Sequence, residues 1–230
     1  MAVDFRYFNN EASFLPKAER ALASHFNSPQ AFSGFYAALR TPERKTEFLR
    51  TCTFYYYMVK QGDWVVTAPD SNPVIDYFTN SYKVVGIFAL IEGLSDETHQ
   101  DFYDWLLHQE QSVTFPIPDR AALDALYAKY KLTFGAIRRC VRFFERLPQP
   151  RLKQLCDAVR VNGKPMPSIK KLAEHLYRLR SEFVHEGRLV VQLSGSSLHF
   201  EGKRAVRTEF SMPLLQTVFE EGVLAHFGET

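Results

Sequence analysis

A helix-forming segment in the last third of the chain constrains the fold more than any other feature. Pro167 and Ser168 come just before it, and the hydroxyl of Ser168 can accept a hydrogen bond from a free backbone N–H group of the first turn. Gly187 comes just after it, and glycine suits the left-handed backbone conformation that often follows a helix. The sequence therefore predicts a helix over 168–187.

Arg180 and His185 lie five residues apart near the end of this predicted helix. On an ideal helix five positions turn by about 500°, so the two side chains point about 140° apart. They can converge only if the arginine reaches across the helix end, or if a second copy of the helix supplies the complement in a symmetric dimer. Arg20 and His25 have the same offset in another predicted helix, with nothing around them that indicates chemistry.

The residues around Arg180 and His185 resemble a known family. HEPN domains share a helix with an arginine, four to six residues and then a histidine, and this chain is similar to it at 176–187, Leu-Tyr-Arg-Leu-Arg-Ser-Glu-Phe-Val-His-Glu-Gly. The Arg-Ser pair and the terminal glycine bring the segment close to the Apea-like branch. An apolar segment at 84–94, Val-Val-Gly-Ile-Phe-Ala-Leu-Ile-Glu-Gly-Leu, resembles the helix near the start of such domains, with Glu92 as its acidic residue.

This resemblance implies an all-helical fold that dimerises through the motif helices. It also implies a metal-independent endoribonuclease acting in host defence, in a toxin–antitoxin pair or in RNA processing, with Arg180 and His185 catalytic and Glu92 in support. Ser181 stands where many active members carry Asn, Asp or His, and Ile91 is an extra residue before the acidic position. Some HEPN domains have lost catalysis, so a silent module that binds RNA or a protein partner is the alternative.

The expected chemistry is acid–base transesterification. His185 would lie in the last helical turn, where the macrodipole favours the imidazolium and suits the side chain to proton transfer at neutral pH. It would take the proton of the ribose 2′-hydroxyl or protonate the leaving 5′-oxygen. Arg180 would stabilise the negative charge at phosphorus through its planar fork of donors. Because the 2′-hydroxyl is the nucleophile, RNA would be cut and DNA spared.

Three supporting residues have both a functional and a structural interpretation. Ser181 can hydrogen-bond a phosphate, or it can return a bond to the helix carbonyl four residues earlier. Tyr177 lies on a helix face similar to that of Arg180 and can line a cleft or pack in the core. Glu92 can pair with an arginine at the site or close a purely structural ion pair.

A second basic feature recurs every four residues, at Arg138, Arg142 and Arg146. This spacing makes one positive stripe along a helix, with aromatic residues on the opposite side. The stripe can bind phosphates, or it can be a solvated face. It follows another predicted helix, so a helix-turn-helix regulator that binds DNA is a further alternative.

Composition excludes several classes of protein. The chain has 230 residues, 46% apolar and 23% charged, as in a soluble globular protein. It lacks both a run of about 20 apolar residues and a secretory signal, so we expect a cytoplasmic location. Cys52, Cys140 and Cys156 are widely separated and are expected to be reduced and structural. Motifs for phosphate loops, dinucleotides and zinc hydrolysis are missing, so no metal or other cofactor is expected.

The predicted fold is mainly α, a HEPN-like helical bundle over 72–230 with a small β-hairpin after the motif helix, preceded by a helical region over 1–71. The boundary is placed in the Pro-rich segment 68–73. The remaining predicted elements are helices over 10–26, 43–60, 74–94, 97–111, 119–130, 134–147, 150–160 and 213–226, a short strand over 64–67, a loop around 115–118, a turn over 162–165, and hairpin strands over 189–193 and 197–200.

Overall fold

The computed structural model describes residues 8–63, 74–94, 101–109, 117 and 119–228. It is mainly helical with a small antiparallel sheet, which confirms the predicted fold class. The helices are α1 (Glu11–Leu22), α2 (Pro29–Ala38), α3 (Pro42–Tyr55), α4 (Val74–Gly93), α5 (Phe102–Leu107), α6 (Arg120–Phe134), α7 (Ala136–Glu145), α8 (Gln149–Asp157), α9 (Ile169–Glu186) and α10 (Met212–Gly228). The strands are β1 (Val159–Val161), β2 (Lys164–Pro165), β3 (Ser197–Glu201) and β4 (Arg204–Thr208).

Helix α9 begins and ends where the sequence predicts. The hydroxyl of Ser168 accepts a hydrogen bond from the N–H of Lys171 over 3.3 Å. Gly187 adopts φ 68°, in the left-handed region, and its N–H donates to the carbonyl of Phe183 over 3.0 Å. Both ends of the helix are therefore capped by local hydrogen bonds.

Helix α2 was not predicted from the sequence. Ser28 caps it by accepting a hydrogen bond from the N–H of Ala31 over 3.2 Å, and Pro29 occupies the first turn. Phe32 and Tyr36, four residues apart, are buried. Their rings pack against the ring of Phe48 of α3, with centroids 6.2 and 5.9 Å away. Two buried aromatic residues on one face hold this short helix in place.

The structure contains a β-hairpin after α9, but the predicted pairing of its strands is wrong. Segment 189–193 is not a strand. The N–H of Val190 donates instead to the Ser81 hydroxyl of α4 over 2.8 Å, and Val191–Leu193 forms a 3₁₀ turn. Strand β3 pairs with β4, which the sequence analysis did not predict, and the antiparallel sheet has the order β2-β1-β4-β3.

Other predictions differ in detail or fall on segments that are not described. Helix α3 continues into a π-helical turn over Tyr56–Lys60, and α5 ends at Leu107, before the predicted 111. The turn over 162–165 joins β1 to β2, with positive φ at Asn162 and Gly163. The strand over 64–67, the domain boundary at 68–73 and all of the loop around 115–118 except Ile117 lie outside the described residues.

A buried carboxylate, Glu220 of α10, joins the described N-terminal region to the C-terminal helix. It accepts hydrogen bonds from Tyr55 (2.6 Å), Lys60 (3.0 Å), Ser24 (3.0 Å) and His25 (2.8 Å). Burial alone would raise the pKa of Glu220, but the bonds from His25, Tyr55 and Lys60 lower that pKa to about 2. The ionised carboxylate therefore joins the ends of α1 and α3 to α10.

Helix α10 also covers α7 through an aromatic contact. The rings of Phe143 and Phe219 are stacked with centroids 5.7 Å apart, and both side chains are buried. Gly222, one turn further along α10, leaves the space that the Phe143 ring occupies, since a β-carbon there would overlap the ring. This close approach fixes where α7 lies beneath α10.

Candidate functional site

Helix α9 positions the candidate site because it packs on both α4 and α7. Leu172, Leu176 and Leu179 are buried on its inner side. Arg180 comes one position after this apolar row and lies at the edge of the interface with α4, while His185 lies in the last turn and is exposed. The helix thus holds the arginine against the protein and presents the histidine to solvent.

Arg180 is held by two neighbours, both of which the sequence analysis nominated. Its Nη2 lies 3.9 Å from Oε1 of Glu92, and its guanidinium carbon lies 5.4 Å from the centroid of the Tyr177 ring. The side chain of Arg180 is 20% exposed. Nε of Arg180 and Oε1 of Glu92 are buried and have no hydrogen-bond partner among the described residues. The pair is therefore close but incompletely hydrogen-bonded.

Tyr177 has a packing role as well as its contact with Arg180. Its ring meets that of Phe88 from α4 in an edge-on arrangement, with centroids 5.9 Å apart. Burial, together with the charge of Glu92, raises the pKa of Tyr177. The phenol is consequently neutral at physiological pH and acts as a wall of the site.

Helix α7 adds one residue that the sequence analysis did not assign to the site, Cys140. The Cys140 thiol is fully buried, and burial together with the charge of Glu92 raises its pKa. Nε and Nη2 of Arg139 are buried without a hydrogen-bond partner among the described residues. Arg139 precedes the buried Phe143 by four positions, and that spacing on one helix face is consistent with the burial of these nitrogen atoms.

The structure does not bring Arg180 and His185 together within one chain. Within the described part of the chain, no hydrogen bond, ion pair or ring contact joins the two residues. Ser181 is half-buried, and its hydroxyl makes no hydrogen bond to any described residue, including the helix carbonyl four residues earlier. The two candidate catalytic side chains thus remain as far apart around the helix as the spacing predicts.

An exposed apolar surface lies beside the end of α9, and we call it the α4–α9 face. It consists of Phe78 and Tyr82 from α4 and Val184 from α9, all exposed. The Tyr82 ring packs edge-on against Phe183, with centroids 5.1 Å apart, so the two helices contribute to one surface. His185 follows Val184 directly.

The basic stripe of α7 is present, but only one of its three arginines is exposed. Arg142 is exposed, Arg138 and Arg146 are half-buried, and Phe143 and Phe144 on the other side are in the core. A single residue, Gly135, separates α6 from α7, whereas the turn of a helix-turn-helix has three or four residues. Helix α7 also packs on α4, α9 and α10.

A second polar cluster lies on the other side of α9, against β3. Arg178 bonds to Glu201 and donates to Nδ1 of the buried His175 over 3.0 Å. His199 lies 3.3 Å from Glu201. A cavity of about 460 Å³ is bordered by Arg178, Glu182, His199 and Glu201. The sequence analysis missed this cluster, although His199 and Glu201 alternate along one strand and therefore share a face.

Burial and the neighbouring cation determine the charges in this cluster. Burial, with the positive charge of Arg178, lowers the pKa of His175 to about 4, so this histidine is neutral at physiological pH. Burial works against ionisation of Glu201, but hydrogen bonds from Arg178 and His199 lower its pKa overall. The cluster is an ionised Arg178–Glu201 pair between two histidines.

The second Arg-x₄-His pair has a structural histidine. Nε2 of His25 lies 2.8 Å from Oε2 of the buried Glu220. The spacing of Arg20 and His25 is identical to that of the motif pair, so spacing alone did not predict this contact. Among the described residues, no group of three or more His, Cys, Asp or Glu side chains is arranged to hold a metal ion. None of the described helices is long and apolar enough to cross a membrane.

The fold and the site together define a mainly helical protein with a small antiparallel sheet and an arginine–carboxylate cluster between α4 and α9. Comparisons with models of known families, with curated proteins and with solved structures found no match. HEPN membership is therefore an expectation drawn from the two motif segments.

Proposed function

We propose that this protein is a metal-independent endoribonuclease of the HEPN type, in which Arg180 and His185 act on RNA as a homodimer. The observation that carries the proposal is the state of Arg180. It is oriented by Tyr177 and Glu92, yet its ion pair with Glu92 is long, at 3.9 Å, and its buried Nε has no hydrogen-bond partner among the described residues. With a fifth of its side chain exposed and a long ion pair, the guanidinium can donate to a phosphate while its position is already determined.

The chemistry needs a proton-transfer group near that phosphate. In the proposed reaction, His185 takes the proton from the ribose 2′-hydroxyl, and the oxygen attacks phosphorus. The bond to the 5′-oxygen breaks, and the protonated histidine returns the proton to that leaving oxygen. Arg180 stabilises the added negative charge on the phosphoryl oxygens. The products are a 2′,3′-cyclic phosphate and a free 5′-hydroxyl.

A second copy of the chain supplies the missing geometry. Arg180 and His185 point about 140° apart on one helix, and in the proposed dimer the arginine of one protomer meets the histidine of its partner. The α4–α9 face supports this arrangement, since Phe78, Tyr82 and Val184 form an exposed apolar surface next to His185. A twofold axis through this face would bury these side chains and bring two α9 helices side by side.

A catalytically silent module is the second candidate function. It is favoured by Ser181, which stands where many active HEPN members carry Asn, Asp or His, and by the separation of Arg180 from His185 within one chain. Such a module would bind RNA or a protein partner through the same cleft. The short connection at Gly135 and the packing of α7 on other helices do not favour the DNA-binding regulator.

The biological setting belongs to the same proposal. A ribonuclease that cuts cellular RNA must be restrained, so a role in host defence or in a toxin–antitoxin pair implies a regulatory protein partner. Such an enzyme would act in the cytoplasm, where its substrate is found.

The test is a cleavage assay in excess chelator with single-stranded and structured RNA. We expect wild-type protein to yield 2′,3′-cyclic-phosphate ends and His185→Ala to yield none. His108→Ala is the matched control, because His108 is also an exposed histidine at a helix end. His25→Ala is unsuitable because His25 is bonded to the buried Glu220. Absence of cleavage by wild type would reject the nuclease and leave the silent module.

The dimer is tested separately by sedimentation of wild type and of a Val184→Glu variant. We expect wild type to sediment as a dimer and the variant as a monomer that has also lost cleavage. A monomeric wild type that still cleaves RNA would reject the composite site.

A further inference from the structure

One face of the sheet lies away from α9, and its members follow from the strand register. Leu198 pairs with Arg207, Arg207 with Arg160, and Arg160 with Pro165, so these four residues form a row across all four strands. Directly paired residues point to the same side of a sheet, and residues two apart along a strand do so too. Phe200 and its partner Ala205 therefore belong to this side as well. We call the six residues the outer sheet face.

The outer sheet face exposes apolar side chains to an unusual degree. Phe200 is 72% exposed and Leu198 is 64% exposed, although both belong to a regular strand. The opposite side of the same strands is covered, with Val206 and Thr208 buried. Two neighbouring exposed apolar side chains on one face of a sheet form a patch of the kind that marks binding surfaces.

Both charged residues of the outer sheet face are arginines, Arg160 and Arg207. The segments 159–165 and 197–208 contain five cationic residues and a single carboxylate, whereas the net charge of the whole chain is +2. That carboxylate, Glu201, lies on the opposite side of the sheet and is bonded to Arg178 and His199. The cations are Arg160, Lys164, Lys203, Arg204 and Arg207, and all are exposed. Arg160 and Arg207 lie on the outer sheet face, Lys203 lies in the turn between β3 and β4, and the register places Lys164 and Arg204 on the opposite side.

Arg207 has one acidic neighbour, Glu209, at 2.8 Å. Both side chains are largely exposed, with 61% and 49% of their surfaces accessible, so the pair contributes little and can be exchanged for a phosphate. Arg160 has a long hydrogen bond, 3.4 Å, to the backbone carbonyl of Asp157. Neither arginine is committed to a strong partner.

We propose that the outer sheet face binds single-stranded RNA, with bases stacked on Phe200 and phosphates bound by Arg160 and Arg207. Exposed aromatic rings within a cationic surface are the combination that single strands need, because unpaired bases offer free π-faces and the backbone is a polyanion. This inference deepens the proposed function and rests on it for the choice of RNA. The strand would be held by the sheet while the cut is made at α9.

The experiment measures fluorescence anisotropy of a short labelled single-stranded RNA titrated with full-length protein. All variants carry His185→Ala, so that the RNA stays intact. We expect Phe200→Ala to weaken binding by about 5-fold to 100-fold, the usual effect of removing a stacking ring. Arg207→Gln should lower the slope of log affinity against log salt by about 0.7.

Tyr103→Ala is the matched control, because Tyr103 on α5 is similarly exposed at 62%. We expect it to bind like the parent protein, and an RNA duplex of equal length to compete poorly because its bases are already stacked. Equal binding by the parent and Phe200→Ala, or equal competition by the duplex, would overturn the proposal. No RNA binding by the parent would also overturn it and would favour a protein partner on this face.

The two proposals fail in different ways. If wild type does not cleave RNA but Phe200 is needed for binding, the nuclease is rejected and the outer sheet face stands. If cleavage depends on His185 but Phe200→Ala binds and cleaves like wild type, the nuclease stands and the face is rejected.

Discussion

Nη2 of Arg180 lies 3.9 Å from Oε1 of Glu92, across the contact between α9 and α4. Neither that oxygen nor Nε of Arg180 has a hydrogen-bond partner among the described residues. Polar atoms buried in this state are costly, by about 1–3 kcal/mol each, and they are frequent where a ligand is to be bound. The pair therefore orients the arginine without using all of its donors.

Arg180→Lys should separate charge from geometry at this position. Lysine keeps the positive charge but lacks the planar fork, so we expect RNA cleavage to fall by about 100-fold with little change in thermal stability. Arg20→Lys, in the other Arg-x₄-His pair, should cleave like wild type. Cleavage rates of the three proteins in chelator provide the measurement, and an unchanged rate for Arg180→Lys would contradict a role at phosphorus.

His175 should make stability depend on pH in the mildly acidic range. Its pKa is lowered from 6.5 to about 4 in the folded protein by burial and by Arg178. The unfolded chain therefore binds the proton more readily, so stability is complete above pH 6.5 and decreases by about 3 kcal/mol as the pH falls to about 4. Urea unfolding of wild type and His175→Gln across this range measures the effect. The free energy of unfolding of His175→Gln should depend less on pH in this range than that of wild type. Equal pH dependence in the two proteins would contradict a lowered pKa of His175.

Glu220 should control stability at lower pH. Its pKa falls from 4.5 to about 2 on folding, so its contribution is complete above pH 4.5 and disappears as the pH falls to about 2. Glu220→Gln should lower the free energy of unfolding by about 3 kcal/mol at neutral pH, because Lys60 loses its buried partner. The difference from wild type should shrink below pH 4.5. A difference that stays constant with pH would show that the carboxylate is not ionised in the fold.

Two glycine substitutions should have opposite effects. Gly222→Ala forces a β-carbon into the buried ring of Phe143 and should destabilise the protein by about 1–3 kcal/mol. Gly34→Ala, in the middle of α2, has open space around it and should stabilise by up to about 1 kcal/mol through helix propensity. Thermal unfolding of the two variants provides the comparison. A stabilised Gly222→Ala would mean that α7 and α10 are not in close contact.

The cluster around Arg180 was predicted only in part from the motif. The resemblance nominated Glu92, and the structure places that residue next to Arg180 from a helix about 90 positions earlier in the chain. Cys140 was not predicted as a neighbour of Glu92, because the four-residue spacing on α7 singled out Arg138 and Arg142 instead. Helical spacing alone does not say which side of α7 faces the core, and that side is set by where α4, α9 and α10 pack.

Residues 168–187 show what the sequence by itself determined. Ser168 and Gly187 end α9 through hydrogen bonds within a few residues, so the signals are local and can be identified without the fold. Only the tertiary structure decided that His25 bonds to Glu220, 195 positions away, while His185, with the same spacing from its arginine, is exposed. It also paired β3 with β4 and not with 189–193. Such outcomes depend on which distant surfaces are buried together, and local patterns do not contain that information.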